Sequence, residues 1–400
     1  MIKELHLHNW KSFGDATLYI DPLTFVIGTN ASGKSNILDA LLFLHLTATG
    51  MPIDSILKEH IRGGSDWAIK RGCDEFSLAI VDEQKDIDYV YEIGGRLSQR
   101  NGMELCHEKL LRRKKGNFAE RLLFYTDEVG EDISSTIVTR FYTGKKGKQK
   151  RLDLTKRASV LSQYEVLPII KDVREVCVAI ARDLNGIFVF NPIPNQMRNY
   201  CPLADSLLSN GGNIAGVLAG MQMDEEKELE DKLSSYVRPL PERDINRVWA
   251  EKVGCFGNDA MLYCEECWND GQKDIIDARS MSDGTLRFIA IVMALLTGKP
   301  NSLLVIEEID NGVHPSRAGE LVKALCELGR ERHIDVLCTT HNPVLIDSLG
   351  VDMLPFISYV SRSADDGASK VEPVEDVRNI TKLMSSNTVG ELMVKDKLSV

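Results

Sequence analysis

"GTNASGKS", Gly28–Ser35, decides the fold. It fits G-x-x-x-x-G-K-[ST] at every fixed position, and its flanks supply the setting that this pattern requires. Upstream, "KELHLHNWKSFGDATLYI" alternates apolar and polar residues, and after Asp21-Pro22 the apolar run "LTFVIG" closes in glycine, so a strand pair leads into the turn. Downstream, "SNILDALLFLHL" sets Ile37, Leu38, Leu41, Leu42 and Leu44 on a wide helical face. Strand, glycine-rich loop and helix in that order aim backbone amides and a helix N-terminus at phosphate groups. Lys34 would reach the β and γ phosphates and Ser35 would ligate magnesium.

The last third alternates differently. "NSLLVIEEID" is an apolar run ending in acids, "RAGELVKALCELGRE" an amphipathic helix and "IDVLCTTH" a second apolar run, which together read as a βαβ unit with buried parallel strands. Glu307 and Glu308 fall at the carboxyl end of the first strand, where parallel sheets present their ligands, and strand alternation is expected to point them apart. Glu307 is expected to support the magnesium shell and Glu308 to polarise an attacking water. His341 ends the second strand, where a donor could reach the γ-phosphate. Between loop and acids lies "SMSDGTLRF", Ser280–Phe288. There Ser282 can cap a helix running into "FIAIVMALL", leaving free amides as a second anion site. One chain already has a phosphate loop, so this second site is expected to meet the γ-phosphate held by another copy and close an ATP-dependent homodimer or higher homo-oligomer.

Composition bounds the rest. With 400 residues, 43% of them hydrophobic, the chain can bury a large core divided among subdomains. A net charge of -11 argues against a surface that is basic throughout, so contact with DNA would fall to two local clusters, "RRKK" at Arg112–Lys115 and "KKGKQKR" at Lys145–Arg151. No window holds eighteen consecutive apolar residues and the N-terminus has no signal-type apolar core, so a cytoplasmic protein with no membrane partner is expected. Nine cysteines without a paired spacing suit reduced thiols. Cys264-Glu-Glu-Cys267 lacks a second ligand pair and is expected to be strand or turn rather than a zinc site. An α/β organisation follows: an ATPase lobe over 1–70, an antiparallel β subdomain over 71–160, a helical insertion or lid over 161–255 and a second lobe over 256–400. No sustained heptad points to a long coiled coil.

"GTNASGKS", "SDGTLRF", "LLVIEEIDNGVHP" and "TTHNP", in that order, resemble the ABC-type ATPases of the SMC and RecF group, P-loop NTPases by fold. More narrowly, the set resembles standalone ATPases related to the OLD proteins, of the AAA15/AAA_21 type, and "NWKSF" at Asn9–Phe13 matches the N-terminal strand of that group. The resemblance implies ATP and Mg2+ as ligands, with Lys11 and Ser12 near the nucleotide. It implies a phosphate-binding stretch of Asn30, Ala31, Ser32, Gly33, Lys34, Ser35 and Asn36. Ser282 and Gly284 become a signature contacted in trans, Asp310 and Asn311 a D-loop, Glu308 and His341 the catalytic pair, and Ser35 with Glu307 the metal side. Glu307 stands where many relatives have aspartate, and Gln196 in "NPIPNQMR" is the candidate Q-loop residue. OLD proteins continue into a nuclease domain, whereas 59 residues follow His341 here. A separately encoded effector, a nuclease or toxin in antiphage defence, is therefore the expected partner. The alternative is a RecF-like factor whose ATP cycle gates DNA binding or repair, and a purely structural ATP binder would release no phosphate.

Overall fold

Strand alternation sorts apolar side chains onto the two faces of a central, mostly parallel sheet. In this computed structural model, which describes residues 1–98, 102–115, 120–128, 134–145, 147–240, 245–267, 272–312 and 314–398, that sheet runs β10-β15-β16-β3-β17-β18. Its strands are β3 (Leu23–Ile27), β10 (Ile187–Phe190), β15 (Ser302–Ile306), β16 (Ile334–Thr340), β17 (Ile357–Arg362) and β18 (Ser369–Pro373). Val26, Leu303, Val305, Leu337 and Val360 face one hydrophobic core, and Phe25, Ile27, Leu304, Ile306, Val336 and Cys338 face the other. A period of two thus fills two cores from one set of strands.

An eight-stranded sheet covers the first core. Its order is β2-β1-β4-β5-β6-β7-β8-β9, built from β1 (Ile2–His8), β2 (Asp15–Tyr19), β4 (Glu75–Gln84), β5 (Ile87–Ser98), β6 (Gly102–Lys114), β7 (Glu120–Thr126), β8 (Thr136–Tyr142) and β9 (Gln149–Thr155). Leu5 lies opposite Ile80 and Leu7 opposite Leu78, so the N-terminal hairpin belongs to this sheet and crosses the division expected at residue 70. A third sheet holds β11 (Cys201–Pro202), β12 (Ile245–Val253), β13 (Asp259–Cys267) and β14 (Lys273–Asp277). The segment 161–255 is accordingly not helical alone: it gives β10 to the central sheet, and β12 pairs with β13 across residue 255. Cys264 and Cys267 lie on β13, Cys264 buried.

The α-helices among the described residues are α1 (Lys34–Ala48), α2 (Ile53–His60), α3 (Lys171–Asn185), α4 (Pro194–Met197), α5 (Ile214–Gly220), α6 (Met223–Val237), α7 (Asp283–Thr297), α8 (Ala318–Arg332), α9 (Pro343–Ser348), α10 (Ile380–Met384) and α11 (Val389–Val394). The longest have 15 residues, too short for a long coiled-coil arm. Among the described residues no helix is long and apolar enough to cross a membrane. Strand pairing places the two basic clusters on the same eight-stranded sheet, with Arg112 opposite Arg121, Phe141 opposite Lys150 and Arg140 opposite Arg151. Acids answer part of that charge, since Lys115 pairs with Glu83, Arg113 with Asp88 and Arg112 with Asp172. Lys146 of the second cluster lies outside the described residues.

One buried acid staples the turn after β9 to this sheet. Glu108, fully buried on β6, accepts hydrogen bonds from Val160 N at 2.6 Å, Leu161 N at 2.8 Å, Ser159 Oγ at 3.0 Å and Tyr91 Oη at 3.1 Å. Burial pushes its carboxyl up to about 7 against the pull of those four donors. Glu108→Ala should cost about 3–4 kcal/mol of unfolding free energy, because four buried donors lose their acceptor. The raised carboxyl also ties stability to pH. Its contribution is complete below the unfolded value near 4.5 and is lost as pH rises through about 7, a fall of roughly 3 kcal/mol. Urea unfolding at pH 5 and pH 8 should show that fall in the wild type and not in Glu108→Gln.

Candidate functional site

Parallel pairing lines up the strand ends that carry the chemistry. Ile27 lies opposite Thr340 and Ile306 opposite Cys338, which brings Gly28, the 307–308 acids and His341 to one carboxyl edge of the sheet. In open α/β sheets that edge is where ligands bind. The acids themselves lie past β15, which ends at Ile306. Glu308 has a φ of 46°, so a left-handed turn, rather than the expected strand pleat, separates the two carboxylates. Such a backbone costs about 1–3 kcal/mol and is held here by hydrogen bonds at both its amide and its carbonyl. Glu308 N donates to Thr339 Oγ1 at 2.9 Å, and Arg287 Nη2 donates to Glu308 O at 3.4 Å. His341 is exposed just after β16.

The loop before α1 is fixed from several sides. Gly33 has a φ of 123°, and a Cβ there would sit 2.6 Å from Ser369 Oγ, so only glycine fits. No side chain caps α1, which leaves its first amides to a ligand. Lys34 Nζ donates to Gly28 O at 2.8 Å and Thr29 O at 2.9 Å; burial pulls its ammonium down, and Glu308 and Asp310 oppose that pull. Ser35 Oγ donates to Glu307 Oε1 at 2.9 Å. Asn36 Nδ2 donates to Ser12 Oγ at 2.8 Å, and Ser12 and Ser369 hydroxyls are 2.7 Å apart. Ala31, at a φ of 62°, accepts from Arg362 Nε at 3.0 Å, while Asn30 is exposed. Lys11 Nζ pairs with Asp39 and donates to Arg62 O at 2.8 Å, so its charge is already matched at α1. Lys11 and Ser12 both line a cavity of about 610 Å³ beside the loop.

Two observations test whether a magnesium nucleotide fits this edge. Of six buried side-chain atoms without a hydrogen-bond partner among the described residues, three belong to it: Ser32 Oγ, Arg287 Nε and Asp310 Oδ1. Such orphans are costly in a packed interior and suit a polar ligand. The touching hydroxyl and carboxylate of Ser35 and Glu307 are a hard oxygen pair suited to Mg2+. Among the described residues no group of three or more His, Cys, Asp or Glu could hold a metal. An ion carried in on phosphates needs no such cage.

Comparison with known proteins finds partial matches at both ends of this site. Residues 1–163 match the family described as "AAA ATPase domain", and residues 228–347 the one described as "AAA domain, putative AbiEii toxin, Type IV TA system". Chromosome partition protein Smc of Synechocystis sp. is 33% identical over 131 residues, 30% of this chain and 10% of that protein. DNA replication and repair protein RecF of Limosilactobacillus reuteri is 42% identical over 48 residues, 12% of this chain and 13% of that protein. The matches therefore span only about a tenth of those relatives. Among solved structures, an SMC head bound to the C-winged helix domain of ScpA has a TM-score of 0.51 at 15% identity, covering 93% of this chain and 96% of that one. An Smc head with an extended coiled coil, bound to a ScpA domain and derived from Pyrococcus furiosus, has a TM-score of 0.50 at 13% identity, covering 96% and 99%. The two family matches, both of AAA type, cover the phosphate-loop segment and the segment with the 307–308 acids, and the fold resembles that of an SMC head.

The remaining contacts lie around the start of α7 and the turn after Glu308. Ser282 Oγ accepts from Thr285 N at 3.1 Å as the N-cap of α7, with Ser282 itself exposed. A Cβ on Gly284 would lie 2.4 Å from Gly312 O, so the start of α7 rests directly on the loop that carries Asp310 and Asn311. Asn311 N donates to Glu308 O at 2.9 Å, and Arg317 Nη1 donates to Thr285 Oγ1 at 3.0 Å. The Ser282–Gly284 turn and the 310–312 loop are thus packed together; Val313 of that loop lies outside the described residues. Gln196 does not reach Glu307, because its Oε1 accepts from Asn210 Nδ2. Asn191, directly after β10, does: its Nδ2 donates to Glu307 Oε2 at 3.4 Å. Arg62 also arrives, donating to Glu307 Oε1 at 2.8 Å and Oε2 at 3.1 Å. Asn191 opens the same stretch "NPIPNQMR" that holds Gln196, whereas Arg62 stands in no motif and only its placement beside Glu307 marks it.

Proposed function

We propose that this chain is an ATP-driven switch that hydrolyses MgATP in a pocket shared between two copies. The observation that carries the reading is the meeting, on one sheet edge, of the Ser35–Glu307 contact with the partnerless Ser32, Arg287 and Asp310 atoms. In this reading Lys34 leaves its loop carbonyls for the β and γ phosphates, and the amides of α1 bind phosphate oxygens. Ser35 and Glu307 hold magnesium, whose charge neutralises the phosphates. Glu308, fixed by Thr339 and Arg287, accepts the proton of the attacking water, and His341 donates to the γ-phosphate. Ser282 and Gly284 present the start of α7 to the nucleotide of the second copy. Base and ribose take the 610 Å³ cavity, where Ser12, Asn36, Trp67 and Arg362 form part of the wall.

The work done by the cycle is assigned to control of a separate effector, a nuclease or toxin acting in defence against phage. The toxin–antitoxin description of the family matching residues 228–347 supports this. A second reading, ATP-gated binding of DNA, is favoured by two basic clusters on the same sheet, one on β6 and the other on the β8–β9 hairpin, with Arg121 on the β7 strand between them. One phosphate-release assay separates these readings. Wild-type protein should release phosphate from MgATP, and Lys34→Ala should lose nucleotide binding by about 100-fold or more, since a charge-assisted phosphate contact is removed. No release above the Lys34→Ala background contradicts the proposal. Stimulation by duplex DNA that falls steeply with salt selects the DNA-gated reading; indifference to DNA leaves effector control.

A further inference from the structure

Arg62 stands where a metal ion would be expected. It follows α2, far in sequence from every motif, yet its guanidinium forks onto both oxygens of Glu307 at 2.8 and 3.1 Å. Its Nε also approaches Asp39 Oδ1 at 3.3 Å, and Lys11 donates to its carbonyl, so main chain and side chain are both tied to the phosphate-loop helix. Burial pulls the guanidinium down, but the Glu307 and Asp39 carboxylates more than offset it. Glu307 consequently has donors on each oxygen: Ser35 and Arg62 on Oε1, Arg62 and Asn191 on Oε2. Its side chain is only 14% exposed, whereas that of Arg62 is 53% exposed and borders the 610 Å³ cavity. Once its contacts are broken, a side chain so exposed can swing into the cavity without repacking the core, while the mostly buried carboxylate it covers stays in place.

We propose that Arg62 is a tethered placeholder cation, which neutralises Glu307 and is exchanged for magnesium when the metal arrives on a nucleotide. With the guanidinium forked onto both oxygens and Ser35 and Asn191 donating beside it, an ion that binds Glu307 directly must displace at least one arm of the fork. Released, Arg62 remains in the cavity, where the phosphates replace the charge it has lost. The exchange favours metal and nucleotide arriving together. Free magnesium would have to break the fork with nothing to receive the arginine, so the device selects MgATP over the bare ion. This rests on the MgATP reading of the site and adds a positioning residue to it.

The test uses Mn2+ in place of magnesium, followed by electron paramagnetic resonance on nucleotide-free full-length protein. Arg62→Ala and Arg62→Gln should each bind Mn2+ roughly tenfold more tightly than the wild type, as expected for an ordinary coupling between two ligands of one group. Adding Glu307→Gln to either should abolish the gain. A merely structural Arg62 would shift the urea midpoint and leave Mn2+ affinity alone. Equal Mn2+ affinity in the wild type and both variants, within twofold, overturns the placeholder. A second titration with ATP present separates the two ideas: ATP-dependent Mn2+ binding by the wild type without any gain in the variants sinks only Arg62's role. Absence of ATP-dependent Mn2+ binding sinks the MgATP reading as well.

Discussion

Glu308→Gln is expected to lower ATP turnover by about 10²–10⁴-fold, the usual contribution of a positioned general base, while leaving nucleotide affinity within a few-fold of the wild type. The backbone of Glu308 should survive the change, because its amide bond to Thr339 and its carbonyl bonds from Arg287 and Asn311 do not involve the carboxylate. Only the proton acceptor is removed. Single-turnover phosphate release under saturating MgATP reads the effect, and the unhydrolysed complex should accumulate. A loss of less than tenfold would show that Glu308 is not the base and would move attention to water held by other groups.

Ser282→Arg should have an effect of similar size by a different route. The exposed N-cap is where α7 would meet the nucleotide of the second copy, and an arginine there fills that approach. Loss of the cap costs about 1 kcal/mol, which a helix buried along nearly all its length tolerates, so the fold should persist. Each copy should still bind ATP, but turnover should fall by about 10²–10³-fold, the cost of removing anion-stabilising donors from a transition state. Sedimentation with ATP should show no dimer. Ser282→Asn, which keeps a capping side chain, should retain both dimer and activity. If Ser282→Arg turns ATP over at the wild-type rate, the shared pocket is excluded.

What the sequence reveals here is local order. The apolar run, glycine loop and helix from Leu23 to Ala48 are legible because each depends on neighbours within a few residues, and so is the cap of Ser282. Contacts set by chain reversal are not legible. Arg62 and Glu307 are far apart in the chain, and nothing in "HIRGG" signals that a turn will fold it onto β15. Asn191 replaces Gln196 beside Glu307 because it follows β10 directly, while the four-residue α4 turns Gln196 toward Asn210. The N-terminal hairpin reads equally well as part of a first lobe or of the antiparallel sheet. Only the pairing of Leu5 with Ile80 decides, and side-chain alternation carries no information about which strand lies alongside. The acids at 307 and 308 were expected on a pleated strand; the positive φ at Glu308 belongs to a turn that sequence patterns for buried strands do not anticipate.

The most direct measurement is a structure of Glu308→Gln trapped with MgATP. The account predicts a two-fold dimer in which the Ser282–Gly284 turn of one copy lies within hydrogen-bonding distance of the γ-phosphate held by Lys34 and Ser35 of the other. A trapped complex in which that turn points away from every phosphate, or in which one copy alone encloses the nucleotide, would contradict it.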